Sequence, residues 1–312
     1  MVISVLGAGV AGLCAATTMS ESGMEVELVV PEHAPHPTSA LAGGMLAPFC
    51  EGEAAPHCIV TRGQAALAWW AHRSTSFAAR GTLVVAPPRD AAELDRFANA
   101  TRGHRWISPA DLEPDLAGRF MRGLYYPDEA HLDPQEALAT LRDRLVARGV
   151  HIRHCARGKR IVDCRGLASA DQLHDLRPVR GEMLEILAPD VTLTRPVRLL
   201  HPRFPCYIVP RGAGRYMIGA TMVETSHAGA ITARAAMELL SAAYAVHPAF
   251  AEGEILATGV GHRPAFPDNI PVVRRIGDTF YLNGLYRHGF LMAPVLATDL
   301  AIALNKELAD AH

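Results

Sequence analysis

Apolar positions fall into short blocks whose spacing switches between strand-like and helix-like periods. Residues 2–6 are an apolar run that reads as a buried strand. An apolar helix follows and ends at Ser22-Gly23, where Gly can take the left-handed position past the last turn. Residues 25–30 read as a second strand, so strand, turn, helix and strand succeed one another as in a parallel βαβ unit. The pattern then predicts an irregular stretch at 31–38, a helix over 64–79 carrying Trp69 and Trp70, and a strand over 81–87; 90–123 has no clear period. Asp133-Pro134-Gln135-Glu136 is a strong helix start, with an acidic N-cap, Pro at the first helical position and Glu at the capping-box position. Ala137, Leu138, Leu141, Leu145 and Val146 give that helix one apolar face, Gly149 ends it, and strands are expected at 150–153 and 160–163.

Beyond Met183 the pattern changes. Strands at 206–210 and 216–221 flank a turn built on Gly212 and Gly214, the signature of a hairpin. A helix over 232–244, a strand over 281–285 and a closing helix over 294–308 complete the chain. The βα pattern thus appears at both ends and in the middle, with antiparallel strands inserted between, which makes the fold class α/β.

Charge and composition narrow the function. Lys+Arg 30 against Asp+Glu 32 leaves no basic excess for a polyanion, so nucleic acid is not an expected partner. Of the basic residues only Lys159 and Lys306 are lysines, so arginine is a general preference here and no single Arg stands out by type alone. Six scattered cysteines without a Cys-x-x-Cys pair fit reduced thiols. The apolar opening lacks a basic n-region and is broken by glycines. No uninterrupted apolar run reaches the roughly 18 residues of a membrane span, and the expectation is a soluble, cytoplasmic protein. The close pairs His33/His36 and His151/His154 read as solvated, and no metal site is expected.

The clearest chemical motif is Gly7-Ala8-Gly9-Val10-Ala11-Gly12, a G-x-G-x-x-G directly after a strand and opening a helix. The first Gly permits the tight turn, the second lets backbone approach a pyrophosphate, and the third allows close helix packing. The N-terminus of the helix presents free N–H groups and partial positive charge to phosphate. The acid that should hold the ribose about 20 residues on is missing, because its usual place is Val30. Glu32, two residues later, either takes that role or is a loop residue facing solvent. No second G-x-G-x-x-G occurs, which points to a flavin reduced by a small substrate rather than by NAD(P)H.

Longer segments carry a family resemblance. Gly259-Val260-Gly261-His262-Arg263-Pro264-Ala265-Phe266-Pro267-Asp268 and Leu282-Asn283-Gly284-Leu285-Tyr286-Arg287-His288-Gly289-Phe290-Leu291-Met292-Ala293-Pro294 resemble the closing motifs of the D-amino-acid oxidase superfamily of FAD enzymes. Ser39-Ala40-Leu41-Ala42-Gly43-Gly44-Met45-Leu46-Ala47-Pro48 resembles its second flavin-contacting segment. Val179-Arg180-Gly181-Glu182-Met183 resembles its P-x-R-G-Q strand, with Glu182 where the family has Gln. Cys206-Tyr207-Ile208-Val209-Pro210-Arg211 with Gly219-Ala220-Thr221-Met222 is similar to the glycine oxidase branch, the flavoenzymes of thiazole synthesis in thiamine biosynthesis.

The resemblance implies a Rossmann-like domain of the glutathione-reductase type holding FAD noncovalently, built from 1–80, 125–170 and 255–312. An antiparallel-sheet substrate domain from 81–124 and 171–254 is inserted into it. It implies an amino acid oxidase that moves the Cα hydrogen as hydride to flavin N5, most simply a glycine oxidase using O2, in a chain able to form homo-oligomers. In that site Arg287 clamps the substrate carboxylate, Arg263 is a second active-site Arg, Tyr207 brings its hydroxyl to the carboxylate, and Met222 lines a small pocket. Gly7, Gly9, Val10, Ala11, Gly12, Glu32, Ser39, Gly43, Gly44, Met45 and Gly166 would contact the cofactor, with His288, Gly289, Phe290, Leu291 and Met292 at the pyrimidine end. Arg165 would face phosphates or solvent. Two alternatives stay open: an amine oxidase or dehydrogenase acting on sarcosine, a D-amino acid or proline, and a sensor or scaffold that binds FAD without turnover.

Overall fold

A computed structural model of the protein describes residues 2–201 and 205–310. One sheet has six strands: from edge to edge, Val272–Ile276, Thr279–Asn283, Arg160–Asp163, Ile3–Leu6, Val26–Val29 and His151–Arg153. Only the first pair is antiparallel. Val10–Glu21 packs on this sheet and against the closing helix, with Leu13, Cys14, Ala15, Ala16 and Met19 buried. Asp133 caps helix Pro134–Ala147 by accepting from the N–H groups of Gln135 and Glu136 (2.9 and 3.3 Å).

The second sheet has nine strands, in the order Val223–Glu224, Arg177–Leu187, Arg215–Gly219, Cys206–Pro210, Val197–Leu199, Thr82–Val85, Gly123–Tyr126 and Arg105–Ile107, with Glu254–Ala265 paired along Arg177–Leu187. Its own core centres on Leu184, Ile186, Ile208, Ile218, Leu239 and Phe250, separate from the core of the first sheet. The expected all-antiparallel character fails at one place, where Val197–Leu199 runs parallel to Thr82–Val85.

Other expectations shift. Strand Glu254–Ala265 belongs wholly to the nine-stranded sheet, so the chain returns to the nucleotide-binding layer about ten residues after the expected boundary at 255. The helix expected over 64–79 is instead His57–Gly63 and Ala65–Ala71. Beyond it Ser76 Oγ accepts from the Asp133 N–H (3.1 Å) and the Ala78 N–H donates to the His131 carbonyl (2.8 Å), so this stretch pairs with the chain ahead of the capped helix.

The closing helix is Gly289–Asp310, starting five residues ahead of Pro294, which lies inside it. Proline at that position denies the Phe290 carbonyl its helical partner. The buried Trp70 indole N–H supplies a replacement, donating to Phe290 O at 2.8 Å. By length and composition this helix could cross a membrane, against the expectation that nothing in the chain could. Its apolar content has a local explanation: Ala293, Leu296, Ala297, Leu300, Ala301 and Leu304 are buried in the nucleotide-side core.

Candidate active site

Four parallel strands end on one crevice. Gly7 follows Ile3–Leu6, Val30 follows Val26–Val29, Cys164 follows Arg160–Asp163, and Asn283 ends Thr279–Asn283; all line a single cavity of about 2010 Å³. The crevice outside the carboxyl ends of parallel strands is where such sheets bind ligands. Gly7 sits at φ +96°, where a side chain would be strained, and a Cβ on Gly12 would collide with the Gly7 carbonyl. Gly12 therefore serves helix–turn packing and does not line the cavity. At the helix start the Val10 N–H donates to Ser39 Oγ at 3.0 Å, so a hydroxyl already occupies part of the anion-binding N-terminus.

Gly7, Gly9, Val10, Ala11, Glu32, Ser39, Gly43, Gly44, Met45, Gly166, Gly289, Phe290 and Leu291 all line the cavity. His288 and Met292 do not: both are buried, and the Met292 N–H is spent on the His288 carbonyl (2.8 Å). Glu32 is exposed at the cavity wall. Arg165 also lines the cavity, with its guanidinium held by Asp163 (2.6 Å) and Asp171 (3.0 Å).

The other end carries the polar side chains. Arg263, Arg287, Tyr207 and Met222 all line the cavity, as expected for one site. The Tyr207 ring lies on Gly43, where a Cβ would come within 2.6 Å of Cε2. Burial pushes the Tyr207 hydroxyl above its ordinary range, against the lowering influence of Arg263, so it remains a proton donor. Met222 is 46% exposed, and its sulfur accepts from the Tyr286 hydroxyl at 3.4 Å. Tyr286 has φ +47°, rare for a bulky residue, so the turn that presents Arg287 is held in a strained conformation.

The two arginines differ in their partners. Arg287 Nη2 lies 2.8 Å from Glu51 Oε2, while its buried Nε has no hydrogen-bond partner. Burial would raise the Glu51 carboxyl, but His288, Arg287 and Arg198 facing it outweigh that and hold it below its ordinary value. Burial holds the His288 ring below its own ordinary value, so at neutral pH the ion pair is Glu51 with Arg287. Arg263, by contrast, has no carboxylate partner among the described residues. Its Nη1 donates to the Thr221 carbonyl at 3.0 Å, and its guanidinium lies where a Cβ on Gly181 would collide with it.

Glu51, Tyr286 and Arg211 escaped sequence reasoning. Arg211 ties the Gly43 loop down by donating to the carbonyls of Ala42 and Gly43 (both 3.0 Å) and of Leu132 (2.9 Å). In an arginine-rich chain it carries no distinguishing signal. Glu51 could have been noticed only as an acid shortly after the Gly43-Gly44-Met45 segment.

Comparison with known proteins agrees with this geometry. Residues 3–301 match the family model described as FAD dependent oxidoreductase. The chain belongs to that family. It is 50% identical to "Putative thiamine biosynthesis oxidoreductase ThiO" of Rhizobium etli, across 98% of this chain and 97% of that protein. A glycine oxidase of Bacillus subtilis is 31% identical over 42% of this chain and 36% of its own length. Among solved structures, glycine oxidase from Bacillus cereus superposes with a TM-score of 0.81 at 20% identity, covering 98% of this chain and 95% of that one. Iminodiacetate oxidase from Chelativorans superposes with a TM-score of 0.80 at 21% identity, covering 96% and 94%.

The residues present fit FAD. The cavity runs from a helix N-terminus behind a glycine turn to a second helix start at Gly289, where the N–H groups of Gly289 and Phe290 make no backbone hydrogen bond among the described residues. Donors at that end suit negative charge on a reduced ring, and the chain is an FAD-dependent oxidoreductase with an α/β, Rossmann-like cofactor domain.

Proposed function

We propose that the protein is a glycine oxidase, converting glycine, water and O2 into glyoxylate, ammonia and hydrogen peroxide. The observation that carries this reading is Arg263, a guanidinium without a carboxylate partner among the described residues, in the same cavity as the Tyr207 hydroxyl and the glycine-lined cofactor cradle. A planar guanidinium binds a carboxylate through two parallel hydrogen bonds. With the charge of Arg287 already met by Glu51, Arg263 takes the anchoring role that the sequence alone assigned to Arg287.

FAD, when bound, supplies the acceptor for the two electrons leaving the substrate. The protein's task is to hold the substrate so that its Cα faces that acceptor, and fixed orientation is a large part of the rate enhancement. Arg263 and the protonated Tyr207 fix the carboxylate. Met222 and Tyr286, in contact with each other, limit the room beyond Cα and favour a substrate without a large side chain. The relation to ThiO gives the imine formed first a further use, in thiazole assembly for thiamine.

The test is oxygen uptake and peroxide formation by purified holoenzyme with glycine, sarcosine, D-alanine and proline. Glycine should have the highest kcat/KM. Turnover that reduces a quinone while barely consuming oxygen, or a preference for proline, would overturn this assignment.

A further inference from the structure

Arg263 is aimed by a device that begins on the neighbouring strand. In the antiparallel pairing of Arg177–Leu187 with Glu254–Ala265, Gly181 stands opposite Gly261 and Val179 opposite Arg263. The Arg263 side chain therefore runs back over the Cβ-free surface of Gly181. Its one hydrogen bond among the described residues goes to the Thr221 carbonyl. Where that carbonyl points decides where the rest of the fork points.

Thr221 is held by three hydrogen bonds to a single residue. The Glu182 N–H donates to Thr221 Oγ1 (2.9 Å), the Thr221 N–H donates to the Glu182 carbonyl (3.2 Å), and the Thr221 hydroxyl donates to Glu182 Oε2 (2.9 Å). Glu182 is itself fixed. Its Oε1 accepts from Arg180 Nη2 (2.9 Å) and from the Thr232 N–H (3.0 Å), and both charged side chains are almost fully buried. Arg180 also donates to the carbonyls of His227 (2.7 Å), Gly229 (2.8 Å) and Ala230 (2.6 Å), fastening the loop that follows Thr221. Burial works against the charged form of Glu182, but these hydrogen bonds outweigh it and keep the carboxyl ionised.

We propose that Glu182 is a positioning residue for the substrate-anchoring arginine: acting through Thr221, it sets the direction of the Arg263 guanidinium. This rests on the reading of Arg263 as the carboxylate anchor. Glu182 acts on Arg263 through Thr221, and that effect shows in how well a carboxylate is gripped. The same clasp places Met222, the next residue, at the cavity wall.

The experiment uses FAD-loaded enzyme, with acetate as a non-reacting carboxylate probe whose binding is read from the flavin absorbance. Thr221→Val keeps the branched shape and removes the hydroxyl. It should raise the acetate Kd about 10-fold, the scale of one lost hydrogen bond. KM for glycine should rise alongside and thermal stability should fall, because the hydroxyl also serves the buried Glu182 N–H and carboxylate, while kcat and FAD affinity stay near wild type. Thr221→Ser, which restores the hydroxyl, should recover acetate binding. Glu182→Gln should move the acetate Kd in the same direction by about 3-fold, and it decides the matter if Thr221→Val does not fold. Arg263→Ala runs in parallel. If it abolishes acetate binding while Thr221→Val leaves the Kd within twofold, the positioning role is wrong and the anchor reading stands. If Arg263→Ala binds acetate normally, the anchor reading fails and the positioning role goes with it. A parallel loss of FAD affinity in Thr221→Val, or acetate binding that Thr221→Ser does not recover, would mark the clasp as merely structural and overturn the proposal.

Discussion

Replacing each arginine by lysine separates an anchor from an ion-pair partner. Arg263→Lys keeps the positive charge but gives up the planar fork, and one ammonium cannot serve both the Thr221 carbonyl, now bonded to Nη1, and a substrate carboxylate with the original geometry. The loss is at least one charge-assisted hydrogen bond, about 1.5–3 kcal/mol, or roughly 10- to 150-fold in kcat/KM for glycine. Arg287→Lys leaves an ammonium facing Glu51, whose carboxylate lies 2.8 Å from the present guanidinium, and a partly exposed pair of this kind is worth about 1 kcal/mol or less. Its kcat/KM should therefore fall about 5-fold or less. Steady-state oxygen uptake on both variants, normalised to bound FAD, measures the difference. If Arg287→Lys loses more than Arg263→Lys, the anchor is Arg287, and the anchor reading of Arg263 is wrong.

FAD should leave the polypeptide on acid precipitation, in line with the noncovalent binding that the family resemblance implies; flavin colour remaining in the pellet would count against this and direct attention to Cys155, Cys164 and Cys206 at the cavity wall. Glu32→Gln should weaken FAD binding by about 1–3 kcal/mol if Glu32 takes the ribose role that Val30 cannot, and an unchanged FAD Kd returns it to the loop. Trp70→Phe strips the replacement donor from the Phe290 carbonyl and should cost about 1–3 kcal/mol in denaturant unfolding, part of which Pro294→Ala should restore by supplying the missing N–H. Glu129 is a buried carboxyl pushed up by desolvation to about 7 from an ordinary 4.5. Between those values the folded protein binds the extra proton, so stability falls as pH rises through the window, by up to about 3 kcal/mol. Glu129→Gln should flatten that slope, and an unchanged slope would assign it to another group.

Much of the nucleotide-binding half was legible because local chemistry and global fold agree there. The glycine turn, the strand and helix around it, and the Asp133 cap each follow from interactions within a few residues, and each forms where the pattern placed it. The misplaced boundaries are those decided by distant partners. Pro294 reads as a helix start on local grounds, yet the helix begins earlier because Trp70, far away in sequence, caps the carbonyl that proline orphans. Strand Glu254–Ala265 escaped notice because its exposed and half-buried residues do not alternate cleanly; what makes it a strand is the ladder to Arg177–Leu187.

The site shows the same division between type and partner. The family resemblance grouped Arg263, Arg287, Tyr207 and Met222, which all line one cavity, but it put Arg287 ahead of Arg263 as the clamp. Their order depends on what stands beside each guanidinium. Glu51 comes from the short helical turn Cys50–Glu53 after the flavin-side loop and meets a residue more than two hundred positions away. Thr221, beside Arg263, offers a neutral carbonyl and leaves the charge unmatched. An arginine already facing a carboxylate gains little further charge compensation from a second one, whereas one facing a carbonyl gains it outright when substrate arrives. That difference is what favours Arg263 in the proposed reading, and it is a property of contacts between distant segments that no motif at either arginine encodes.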